Sequence, residues 1–86
     1  MNPRRQRLLA AALEILAECD PYVLAEDVLS ARIRLRLPDT TSAELATALS
    51  DLLSRQAVRA EPNPVTGRIR WGATAQTRAV LSALEE

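Results

Sequence analysis

Residues Asp39–Gly72, DTTSAELATALSDLLSRQAVRAEPNPVTGRIRWG, decide the fold. Thr41 and Glu44 stand three apart and form a T-x-x-E capping box. The Thr hydroxyl takes the Glu44 amide, and the Glu carboxylate returns to the Thr41 amide. Leu45, Leu49, Leu52 and Leu53 follow at helical spacing with Ala46 beside them, which predicts one apolar stripe facing a core. The helix fades at Arg55-Gln56. Val58-Arg59-Ala60-Glu61 then alternates, Pro62–Gly67 breaks the pattern, and Arg68-Ile69-Arg70-Trp71 alternates again. Two alternating runs around a Pro/Asn/Gly tip predict a β-hairpin.

Outward from that stretch, helices dominate. Asn2-Pro3 supplies a cap and a first-turn proline. The first helix is expected from Pro3 to Glu18, with Leu9, Leu13 and Leu16 in one stripe and Leu8, Ala12 and Ile15 beside it. Asp20-Pro21 ends it. Tyr22-Val23 is an extended link, and a second helix is expected from Leu24 or Ala25 to about Leu35, with Val28 and Leu29 facing the core. Arg32–Leu37 alternates like a strand but also suits the end of that helix. After Gly72, Thr74 caps a last helix from Ala75 to Leu84, with Val80, Leu81 and Leu84 as its stripe.

A helix that runs straight into such a hairpin, after two earlier helices, resembles the winged helix-turn-helix family. The likeness rests on Ala43–Leu49, Leu53–Arg59 and Thr66–Trp71, together with the order and lengths of the elements. It implies a mainly α fold with a small β-hairpin: three helices, a two-stranded wing and a C-terminal helix, as one domain over residues 1–86. An orthogonal four-helix bundle is the rival architecture.

Composition narrows the chemistry. The 86 residues hold no His and one Cys. A Cys/His zinc site, a Ser-His or Cys-His nucleophile and an intrachain disulfide are therefore excluded. No glycine-rich loop and no paired acids with a reason to be perturbed suggest an enzyme, and no cofactor is expected. Tyr22 and Trp71 are the only aromatics, too few for stacking on single-stranded nucleic acid. Trp71 is expected to cover the core. With no secretory leader and no membrane-length apolar run, the sequence suggests a cytoplasmic protein.

Net charge is zero, with 11 basic and 11 acidic residues, and every basic residue is Arg. Neutrality argues against duplex binding, which leans on phosphate neutralisation. Placement is uneven, however. Arg4, Arg5 and Arg7 sit at the positive end of the first helix, and Glu14 and Glu18 at its negative end. Each is the unfavourable arrangement for the helix dipole.

The resemblance implies two functions. One is double-stranded DNA binding, as a small transcriptional regulator or a phage or mobile-element protein. Its candidate contacts are Arg4, Arg5, Ser42, Thr47, Arg59, Arg68 and Arg70. The other is an adaptor that binds a protein partner. The outward face of the third helix is expected to be Thr41, Glu44, Thr47, Ala48, Asp51 and Arg55, and its acids would repel phosphates. A homodimer through Leu9, Leu13, Leu16, Val80, Leu81 and Leu84 is a further expectation. The discriminating observation is spatial. Arg4, Arg5, Arg68 and Arg70 gathered on one face would favour DNA, and their neutralisation by Glu44 and Asp51 would favour the adaptor.

Overall fold

The computed structural model describes residues 2–85. Among them the elements run α1 (Pro3–Cys19), β1 (Leu24–Ala25), α2 (Glu26–Arg36), α3 (Ser42–Ser54), β2 (Val58–Pro62), β3 (Ile69–Ala73) and α4 (Thr77–Glu85). The fold is mainly helical with a three-stranded antiparallel sheet in the order β1-β3-β2. The expected hairpin is present, and β1 adds to it through Leu24 opposite Trp71 and Ala25 opposite Arg70. An all-helical bundle is thereby excluded.

α1 is the axis of the core. Leu9, Ala12, Leu13 and Leu16 are fully buried, and Leu8, Ala11 and Ile15 nearly so. So wide an apolar face needs several partners, and α2, α3, α4 and β3 all pack on it. α2 contributes Leu29 and Ile33, one turn apart and both fully buried. The sheet contributes Val58 and, on one face of β3, Trp71 and Ala73.

The capping box of α3 forms as the sequence indicates. Thr41 Oγ1 accepts from the Glu44 amide at 3.1 Å, and Glu44 Oε1 accepts from the Thr41 amide at 3.1 Å. The other end closes with a Schellman turn. The Ala57 amide donates to the Leu52 carbonyl at 2.9 Å and the Gln56 amide to the Leu53 carbonyl at 3.0 Å. Gln56 takes the left-handed position, φ 60°, that glycine usually fills. A buried latch follows. Thr77 Oγ1 donates to the Ala57 carbonyl at 2.7 Å and accepts from the Thr74 amide at 2.8 Å, which ties the turn after α3 to the turn before α4.

At the hairpin tip Asn63 does most of the organising. Its Oδ1 accepts from the Val65 and Thr66 amides, and its carbonyl accepts from Gly67. Gly67 has φ +74°, where a side chain would be strained. Pro62 can end β2 because that strand is an edge and needs no donor on its outer side.

Several local expectations shift. A short strand, Leu24–Ala25, follows the Tyr22-Val23 link, so α2 starts after it at Glu26, and it reaches Arg36. α4 starts at Thr77, after a turn in which Thr74 Oγ1 donates to the Gln56 carbonyl and accepts from the Gln76 amide. Val28 is exposed rather than buried: Leu29 and Ile33 define the inner stripe of α2, and Val28 lies off it. Leu53 is 44% exposed while Ala48 is buried, so the inner stripe of α3 is Leu45, Ala48, Leu49 and Leu52.

Candidate interaction surface

That rotation of α3 changes what the helix offers. Ser42, Ala43, Ala46, Thr47, Ser50, Leu53 and Ser54 face outward, none of them charged. Glu44 and Asp51 sit on the flank nearest α1. Arg4 grips Glu44 with both arms of its fork, Nε to Oε2 at 2.7 Å and Nη2 to Oε1 at 3.0 Å, and Nη2 also donates to the Asp39 carbonyl at 2.6 Å. Arg5 Nη2 meets Asp51 Oδ2 at 3.2 Å, and Arg55 Nε meets Asp51 Oδ1 at 3.0 Å.

Electrostatics follow the contacts. The hydrogen bond from Arg4, helped by the Thr41 amide, holds the Glu44 carboxyl at about 2, down from 4.5. Glu44 in turn raises the Arg4 guanidinium above its usual value. Asp51 is lowered chiefly by the hydrogen bond from Arg55, with Arg5 adding to it. The unfavourable dipole charges of α1 thus acquire a reason. Arg4 and Arg5 staple its start to α3, and Arg36 staples its later turns to α2 through Glu14 at 2.6 Å and Glu18 at 3.7 Å.

The other candidate contacts divide. Arg59 Nη2 donates to the Pro21 carbonyl at 2.9 Å, and its Nε lies 3.8 Å from Glu61. It lies against Gly72, where an added Cβ would come within 2.7 Å of Arg59 Nε. Arg59 is therefore a strap holding the approach to β1, although its side chain stays 42% exposed. Ser42 accepts from Arg34 Nη2 at 3.2 Å, and Thr47 is exposed. Arg68 is exposed and Arg70 half-buried, and among the described residues neither makes an ion pair. Arg70 Nε is buried without an acceptor. The structure does not gather Arg4, Arg5, Arg68 and Arg70 as four free cations. The first two are committed to α3, and the last two belong to the hairpin.

Arg68 and Arg70 border a feature that sequence reading missed. An open groove of about 910 Å³ runs between α2, the first turns of α3 and the hairpin. Val28, Ala31, Ala46 and Ile69 give it apolar surface, Arg34, Arg68 and Arg70 give it positive charge, and Glu26 and Asp27 mark its α2 end. The available signal was the excess of apolar residues on α2, more than one inner stripe can use.

The expected dimer face is not available as such. Leu9, Leu13 and Leu16 are 0% exposed and Leu84 is 7% exposed within the single chain. Val80 and Leu81 are half-buried against the same core. The spare area of α1 is taken by α4, whose Leu84 carbonyl also accepts from Gln6 Nε2. Exposing the three α1 leucines would forfeit about 1.5–3 kcal/mol each, comparable to the whole stability of a small domain.

Among the described residues no group of three or more His, Cys, Asp or Glu is placed to hold a metal, and no helix is long and apolar enough to cross a membrane. Comparison with protein-family models, with curated proteins and with solved structures gave no match to this chain.

Proposed function

We propose that this chain is a winged-helix domain acting as an interaction module, which docks a partner protein on the surface formed by α3, the groove and the hairpin. The winged-helix reading is supported by the order of elements and by the sheet order β1-β3-β2, in which the hairpin emerges directly after α3. The partner-protein reading is carried by one observation: Arg4 and Arg5 are neutralised by Glu44 and Asp51. That pairing takes two of the expected phosphate contacts out of play. The outward face of α3 also lacks the Arg, Asn or Gln side chains that read base edges. Glu26 and Asp27 at the groove end add a charge that phosphates avoid and a protein can match.

Duplex DNA is the second reading, favoured by the unpaired Arg68 and Arg70 beside the uncharged face of α3. Anisotropy with a short random-sequence duplex at low and near-physiological salt separates the two. Two phosphate contacts alone would let affinity fall only about tenfold between about 50 and 200 mM salt. The partner-protein reading predicts no duplex binding at the higher salt. Binding that persists there, and that Arg68→Ala with Arg70→Ala weakens while flattening the salt slope by about two contacts, would favour DNA.

A further inference from the structure

The groove carries the inference. Its apolar surface comes from three separate elements: Val28 and Ala31 of α2, Ala46 of α3 and Ile69 of β3. Val28 is 41% exposed. Three arginines line the same space. Arg34 is held by the Thr40 carbonyl and Ser42 Oγ, both neutral, and makes no ion pair among the described residues. Arg68 and Arg70 have no carboxylate partner either, and the Arg70 Nε donor is buried and unsatisfied.

The acids of the groove do not cancel these arginines. Glu26 and Asp27 occupy the first turn of α2, and Asp27 Oδ1 accepts from the Val28 amide at 3.0 Å. Their charge is directed at the positive end of that helix. The groove therefore presents an apolar surface, a positive hairpin side and a negative end on α2.

We propose that the groove binds an acidic amphipathic segment of a partner protein. Its apolar side chains lie on Val28, Ala31, Ala46 and Ile69, and its carboxylates reach Arg68 and Arg70. A nucleic-acid backbone lacks apolar side chains for that surface and carries its charge evenly along its length, whereas a peptide can place its carboxylates on the hairpin side alone, away from Glu26 and Asp27. This inference rests on the partner-protein reading above and adds the chemistry of the partner.

The test uses the full chain and three fluorescent probes read by anisotropy. One is a short peptide in which Leu and Glu repeat at helical spacing, the second has Lys in place of every Glu, and the third is a random-sequence DNA duplex. The expected result is saturable binding of the Leu/Glu peptide, at least tenfold weaker binding of the Leu/Lys peptide, and at least tenfold loss in Arg68→Glu. Val28→Asp should also weaken the Leu/Glu peptide. Arg68 is exposed, so Arg68→Glu is expected to fold; circular dichroism and a melting curve confirm this for each variant.

No binding of the Leu/Glu peptide, or binding that Arg68→Glu and Val28→Asp leave unchanged, overturns the inference. Preference for the Leu/Lys peptide overturns the acidic partner while leaving a protein partner in place. Duplex binding at near-physiological salt that Arg68→Glu abolishes overturns the partner-protein reading, and the inference with it.

Discussion

Thr77→Val isolates the latch that fixes α3 against the sheet. Thr77 is 1% exposed, and its hydroxyl serves two partners, the Ala57 carbonyl at 2.7 Å and the Thr74 amide at 2.8 Å. Valine keeps the shape and removes both bonds. A buried group left unpaired costs about 1–3 kcal/mol. Ala57 is fully buried and Thr74 half-buried, so the carbonyl bears most of that cost and the amide less. The expected loss is about 2–4 kcal/mol, out of roughly 4–13 kcal/mol for a domain of this size. At about 4–8 °C per kcal/mol, the melting temperature should fall by at least about 8 °C. Urea unfolding followed by the fluorescence of the buried Trp71 measures it. Thr77→Ser, which keeps the hydroxyl and drops one methyl, should lose only about 0.5–1.5 kcal/mol. If Thr77→Val proved no less stable than Thr77→Ser, the hydrogen bonds would not be what holds this turn.

Two other predictions concern α3. Gln56→Gly should stabilise the chain by about 1 kcal/mol, because the left-handed conformation that costs glutamine suits glycine; destabilisation in the same urea experiment would contradict the Schellman geometry. Glu44 has a lower proton affinity folded than unfolded, since its carboxyl is held at about 2 rather than 4.5. Its contribution is thus complete above about pH 4.5 and lost as pH falls towards 2. Glu44→Gln should flatten the melting temperature across that window, and an unchanged acid profile would show that the Arg4 pair does not persist in solution.

What the sequence made legible was local. Thr41 and Glu44 satisfy each other within one helical turn, so the spacing alone suffices to place the start of α3. The hairpin alternation is equally short-range. The orientation of α3 was not legible, because it depends on where α1 lies. Leu53, larger than Ala48, weighs more in any count of apolar residues, yet Ala48 is the one that α1 and the sheet leave room for. That misplacement put Glu44 and Asp51 on the outward face, when both turn towards the arginines of α1. The sequence marks Glu44 and Asp51 as candidate neutralisers of those arginines, but whether the pairs form depends on how α1 packs on α3, since Arg4 and Glu44 are 40 residues apart. The Schellman turn escaped notice for a different reason: Gln56 stands where glycine is the usual signal. The groove is the least local feature of all, assembled from α2, α3 and the hairpin.

Backbone amide shift mapping of the nitrogen-labelled chain, titrated with the Leu/Glu peptide and separately with a random duplex, tests the central claim most directly. The peptide should move the amides of Val28, Ala31, Ala46 and Ile69 together with Arg68 and Arg70, and the duplex at near-physiological salt should move none of them. A silent peptide, with the duplex shifting Thr47, Ser50, Arg68 and Arg70 instead, would contradict it and place nucleic acid on this face.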